Sequence, residues 1–160
     1  MNEPALIEQT CVVRPAMVED VVAIDHLLQT QIEKGKLLPR TLPELYERVR
    51  DFFVVESGGE VVGCGALQLF TSELGEVRSL AVSNEHEGRG FGRALVARLI
   101  EESRAIGLKK LMALTYVPLF FHRLGFETVD RDTLPEKVWG VCVYCPNYHN
   151  CNEIAVLKWL

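Results

Sequence analysis

The chain contains no apolar run near the roughly 18 residues that a membrane-crossing helix requires. Its opening, MNEPALIEQT, lacks the basic-then-apolar layout of a secretory signal. Together these absences argue against a helical membrane protein and lead to the expectation of a cytoplasmic one. Positive charge is also in deficit: 17 Lys and Arg stand against 22 Asp and Glu, a formal net charge of −5, so there is no basic footprint for nucleic acid. The 5 cysteines do not form a secreted disulfide framework. Cys11 and Cys64 sit in apolar stretches, Cys142, Cys145 and Cys151 cluster, and the odd count suits a reducing compartment. What remains is 160 residues at 48% hydrophobic content, enough for one core, so residues 1–160 are read as a single domain.

Along the chain the hydrophobic period switches between two and about 3.6. CVVR is a strand, and Val21, Ile24, Leu28 and Ile32 mark one face of a helix. Thr41 and Glu44 have capping-box spacing with Pro43 in the first turn, which predicts a second helix to about Val49. FFVVE and VVGCGALQLF, joined through Ser57, Gly58, Gly59 and Glu60, predict a hairpin. EVRSLAV opens after Gly75. A helix with Leu95, Leu99 and Ile106 in register is stopped by Gly107, and KLMAL follows as a strand. PLFFHRL is a short helix closed by Gly125, and FETV and EIAVLKWL are the last strands. The pattern predicts a mixed α/β sheet, an antiparallel meander followed by one strand-loop-helix-strand crossover.

The loop ahead of the crossover helix, HEGRGFGRALVARLI, carries Gly88, Gly90 and Gly92 at alternate positions. Glycines at a helix entrance let backbone N–H groups approach an anion, most commonly phosphate. A Walker loop requires Gly-Lys-Ser/Thr, whereas Gly92 is followed by Arg93 and Ala94. A dinucleotide fingerprint requires G-x-G-x-x-G and an acidic residue about twenty positions later, whereas the spacing here is G-x-G-x-G and that region reads KKLMAL. By spacing alone, a simple connecting turn stays open.

In context, LAVSNEHEGRGFGRALVARLIEESRAIGLKKLMALT resembles the acetyl-coenzyme A segment of the GCN5-related N-acetyltransferases, and FFHRLGF resembles that family's closing helix and Gly-Phe turn. The resemblance implies that fold, with acetyl-CoA as co-substrate. It implies that Glu87, Gly88, Arg89, Gly90, Phe91, Gly92 and Arg93 hold the pyrophosphate, and that the backbone of Leu80, Ala81 and Val82 binds the pantetheine arm where the strands splay. Glu87 departs from the family's usual Arg or Gln, which removes a donor but leaves the backbone N–H groups.

Acetyl transfer to an amine needs a base, and Glu76 is the candidate. A period of two places Glu76, Arg78 and Leu80 on one strand face. The alternative for Glu76 is a solvated strand-end carboxylate. Many relatives carry a tyrosine four residues before the Gly-Phe turn. Here that position is Phe121, which cannot donate a proton, so Thr115 becomes the candidate donor to the leaving thiolate, with Tyr116 its rival. Either hydroxyl could instead cap the following helix.

KGKLLPRTLPELYERVRDFFVVESGGEVVGCGALQLF and GFETVDRDTLPEKVW further resemble single-domain N-acetylglutamate synthases, which also tend to lack that tyrosine. The implied acceptor is a small amino acid, L-glutamate, whose carboxylates need cations: Arg40 and Arg78. Alternatives are a solvated loop position for Arg40 and an ion pair with Glu76 for Arg78. Two other functions stay open, an acetyltransferase for another amine or a protein N-terminus, and a non-catalytic acyl-CoA-binding module. Cys64 reads as a small buried side chain, and His26 and His122 are given no role. Cys142, Cys145 and Cys151 with His149 could hold a structural zinc or form a thiol loop, and no metal is assigned to the transfer. Expected partners are a small-molecule amino acid, no nucleic acid and no membrane, with a homodimer left open.

Overall fold

Gly58 and Gly59, at φ +62° and +82°, provide the two left-handed positions that a tight hairpin turn requires. They join β2 (Phe52–Ser57) to β3 (Glu60–Leu69), with Ser57 opposite Glu60. The computed structural model describes residues 11–37, 39–134 and 153–160. They form two compact units, one built from the chain up to Leu67 with Arg78–Leu99, the other from Gln68–Val77 and the chain from Ile100 onward.

In the first unit β1 (Cys11–Pro15) pairs antiparallel with β2, and β2 with β3. The register of β2 on β3 shifts between Val55 and Glu56, a bulge that leaves the carbonyl of Val62 to accept from Ser83 N at 2.9 Å. Helix α1 (Val21–Glu33) buries Val21, Ile24, Leu27 and Leu28, the stripe that its 3.6-residue period dictates. These side chains pack with Leu45, Phe52, Val54, Cys64, Ala66 and Ala81 into one core. Each large aliphatic removed from water there contributes about 2 kcal/mol. Helix α2 (Leu42–Glu47) starts on the expected capping box, Thr41 Oγ1 accepting from Glu44 N and the Glu44 carboxylate accepting from Thr41 N. It ends before the expected Val49, because the chain tightens into a 3₁₀ turn at Val49–Asp51 that delivers Phe52 to the sheet.

In the second unit the first half of β4 (Leu74–Val82) pairs parallel with β5 (Lys110–Thr115), Glu76 opposite Met112. The parallel pairing requires a crossover, and α3 (Phe91–Ala105) provides it. Strand β7 (Ile154–Trp159) runs antiparallel between β5 and β6 (Glu127–Val129), giving the order β4-β5-β7-β6. Leu74, Met112, Leu134 and Ala155 form this unit's core. Short helix α4 (Pro118–His122) precedes β6, with Gly125 at φ +94° in the turn between them. Ile106, expected on the buried face of α3, is instead half exposed and lies past the last helical residue, where Gly107 at φ +92° has turned the chain away. Among the described residues no helix is long and apolar enough to cross a membrane.

Candidate active site

Strand β4 carries the first cluster. Ser79 has φ +53°, the one non-glycine residue in the left-handed region among those described. Such a residue departs from extended geometry within β4, and burial past it still alternates, with Ser79 and Ala81 buried and Arg78, Leu80 and Val82 half-buried. Beyond Ser79, Leu80 lies over Gly65, where a Cβ would sit 3.2 Å from the Leu80 Cδ1 methyl. A Cβ on Gly63 would likewise lie 3.2 Å from the Ala81 carbonyl oxygen. Two glycines in β3 are therefore what lets this part of β4 pack so closely.

Arg40 does not float in a solvated loop. Its Nη1 donates to Ser79 Oγ at 3.0 Å, and its guanidinium lies over the Phe52 ring, 5.5 Å from the centroid. Burial pushes its pKa below the ordinary guanidinium value, the nearby charge of Arg78 adds to that, and Glu44 and Asp51 oppose it. Arg78, on β4 in the same unit, is half-buried. Burial also raises the carboxyl of Asp51, against the pull of Arg48 and Arg40. Ser79, Phe52 and Asp51 escaped the sequence reading. Serine is not a residue that announces a left-handed backbone, and the other two become neighbours of Arg40 only through folding.

The loop after β4 continues from a 3₁₀ turn, Asn84–His86. Gly88 and Gly90 have φ +80° and +88°, and no protein atom approaches within 4 Å of where their Cβ atoms would be. Ala94 N donates to Gly90 O at 3.0 Å, which makes Gly90 the residue ahead of the first turn of α3. The N–H groups of Phe91, Gly92 and Arg93 consequently have no acceptor within the helix, and glycine brings no side chain to cover them. Glu87, Gly88, Arg89 and Gly90 are exposed. This is a cradle suited to a phosphate-bearing ligand.

In the second unit Glu76 is buried, 3% exposed, which removes the solvated strand-end alternative. Thr115 ends β5, also buried, its Oγ1 accepting from Val117 N at 2.9 Å, while its rival Tyr116 is half exposed. Phe121 is a core aromatic, edge-on to Phe120 at 5.0 Å and to Phe126 at 5.2 Å. Back in the first unit, burial pushes the Cys64 thiol up to about 12, so it stays protonated and inert. Of the two histidines given no role, His26 is exposed and His122 Nε2 lies 2.7 Å from Thr128 Oγ1. Cys142, Cys145, His149 and Cys151 lie outside the described residues.

The profile of the Acetyltransferase (GNAT) family matches residues 22–126. The chain belongs to that family. Its GNAT fold and its standing as an acetyltransferase follow from membership. An uncharacterized N-acetyltransferase of Chlorobaculum tepidum is 36% identical over 151 residues, 94% of this chain and 97% of that protein. The amino-acid acetyltransferase of Mycobacterium tuberculosis is 40% identical over 152 residues, 93% of this chain and 83% of that protein. Among solved structures, N-acetylglutamate synthase of Neisseria gonorrhoeae, complexed with coenzyme A and N-acetyl-glutamate, superposes with a TM-score of 0.82 at 30% identity over 94% of this chain. This chain spans only 35% of that longer protein.

Proposed function

We propose that this GNAT enzyme, acting as one domain over residues 1–160, transfers the acetyl group of acetyl-CoA to the α-amino group of a small amino acid, L-glutamate. The observation that carries the choice of acceptor is the partly buried Arg40 guanidinium, hydrogen-bonded to Ser79 Oγ at 3.0 Å and placed over the Phe52 ring, with its pKa lowered by burial and then by the charge of a second cation, Arg78. A dicarboxylate laid against two guanidinium groups accepts charge-assisted hydrogen bonds from both. The likeness to the mycobacterial amino-acid acetyltransferase supports an amino-acid acceptor, and the likeness to the gonococcal synthase, complexed with N-acetyl-glutamate, supports glutamate. On this reading the reaction stands at the start of arginine biosynthesis.

On the donor side, Glu87, Gly88, Arg89, Gly90, Phe91, Gly92 and Arg93 receive the pyrophosphate, chiefly on the unshared N–H groups of the first turn of α3. The backbone of Leu80, Ala81 and Val82 receives the pantetheine arm, and one of its N–H groups meets the negative charge that develops on the thioester oxygen. Glu76 takes a proton from the substrate ammonium, directly or through water. The freed nitrogen lone pair attacks the thioester carbon, the C–N bond forms as the C–S bond breaks, and the hydroxyl proton of Thr115 hydrogen-bonds the departing thiolate. The products are the N-acetyl amino acid and coenzyme A.

Thiol release from acetyl-CoA, measured across a panel of amino acids and simple amines, tests the reading. L-Glutamate is expected to give the highest kcat/KM. Efficient acetylation of amines without a carboxylate would reject it in favour of a broader acetyltransferase.

A further inference from the structure

Ser79 holds a backbone conformation that side-chain-bearing residues avoid, and such strain persists only where surrounding structure over-determines it. Three contacts do so. The Cys64 thiol donates to the Ser79 carbonyl oxygen at 3.5 Å. Gly63 admits the Ala81 carbonyl two residues further on. Arg40 Nη1 donates to the Ser79 hydroxyl oxygen at 3.0 Å, across 39 positions of sequence. The first two hold the backbone of this stretch of β4, and the third holds the Ser79 side chain.

We propose that Ser79 is a positioning residue for the acceptor subsite: its hydroxyl fixes the Arg40 guanidinium so that the fork is already oriented when a substrate carboxylate arrives. The inference rests on the reading of Arg40 given under Proposed function. A long cationic side chain loses rotamer freedom when it grips a ligand, and that loss weakens binding unless it has already occurred on folding. Here the guanidinium face lies on Phe52 and one Nη1 hydrogen is used on Ser79. The fork has five N–H donors, so most stay available for a carboxylate. Without the hydroxyl the guanidinium keeps its place over Phe52 but loses the hydrogen bond that orients Nη1.

The test is steady-state kinetics of Ser79→Gly and Ser79→Asn, each in wild-type and Arg40→Ala backgrounds, with thermal denaturation of every variant. Glycine accepts a positive φ without strain but has no hydroxyl, whereas asparagine tolerates the same backbone and restores an acceptor oxygen. Ser79→Gly is expected to raise KM for glutamate about five- to tenfold while kcat and KM for acetyl-CoA stay within about twofold, with Tm at or above wild type. Ser79→Asn is expected to recover most of the loss. In the Arg40→Ala background Ser79→Gly is expected to change the glutamate KM by no more than about twofold, because the residue it positions is gone.

A wild-type glutamate KM in Ser79→Gly would overturn the inference, as would equal loss for both substrates, full additivity with Arg40→Ala, or a fall in Tm tracking the rise in KM. If Arg40→Ala leaves the glutamate KM unchanged, the acceptor reading itself fails and this inference with it. If Arg40→Ala raises it while Ser79→Gly does not, only this inference fails.

Discussion

Thr115 Oγ1 accepts a hydrogen bond from the backbone N–H of Val117 at 2.9 Å, so the residue proposed to assist the leaving thiolate also holds the turn into α4. Accepting uses a lone pair and leaves the hydroxyl proton to donate. Thr115→Ser keeps both functions and is expected to retain activity. Thr115→Val keeps the shape and loses both, with a stability loss of about 1 kcal/mol and a fall in kcat of about tenfold. Denaturation and turnover measured on the same two variants separate the functions; a wild-type kcat in the valine variant would leave the hydroxyl only its structural task.

Glu76 is buried opposite Met112, on the strand that leads to Ser79. Glu76→Gln preserves its volume and removes its basicity. Turnover is expected to fall about a hundredfold or more while the affinity for acetyl-CoA stays nearly unchanged. Wild-type turnover at saturating amine would remove Glu76 from the mechanism.

Gly90 precedes α3 with φ +88°, where a β-branched residue is strained and would cover the first-turn N–H groups. Calorimetry on Gly90→Val is expected to find no coenzyme A binding, whereas Glu87→Gln, which removes an exposed negative charge from the same loop, is expected to tighten it slightly. Normal binding by the valine variant would place the phosphate site elsewhere.

Arg40→Lys is expected to raise KM for glutamate by about tenfold or more, equivalent to about 1.4 kcal/mol, with KM for acetyl-CoA almost unmoved. An ammonium is a point charge without a planar fork and cannot sit over Phe52, reach Ser79 and grip a carboxylate with two parallel bonds together. Parallel loss for both substrates would speak for a folding defect instead.

Asp20 gives a pH prediction. Its carboxylate accepts from Arg14 Nη1 at 2.7 Å, Arg14 Nη2 at 3.0 Å and Met17 N at 2.7 Å, and the Arg14 guanidinium holds its pKa below the usual carboxylate range. With the folded pKa depressed, the stabilisation is complete above the unfolded value of about 3.9 and is lost as pH falls through the lower folded value. Because Arg14 is partly exposed and also pairs with Glu56, Asp20→Asn is expected to cost about 1.5 kcal/mol at neutral pH and to flatten the acid limb of a Tm-against-pH curve. An unchanged acid limb would show that other carboxylates set it.

The elements read correctly from sequence are those whose causes lie within a few residues. The Thr41 and Glu44 capping box, the Gly58 and Gly59 turn, the α1 stripe and the stops at Gly107 and Gly125 each depend on neighbours one to four positions apart. The glycine loop was legible for the same reason, since a helix start and the glycines ahead of it form one short segment. Where α2 ended and whether Ile106 was buried were misjudged, because propensity continues past the point at which packing or a left-handed glycine ends the helix.

What the sequence by itself determined, then, was the order of elements, the glycine loop ahead of α3 and the family resemblance, all encoded in local spacing. Only the tertiary structure decided that Ser79 turns left-handed, that Arg40 reaches it from 39 positions away over the ring of Phe52, that Cys64 seals its carbonyl, and that Glu76 is buried. Those outcomes depend on desolvation and on contacts between segments distant in the chain, and their energies exist only once the sheet has brought the segments together.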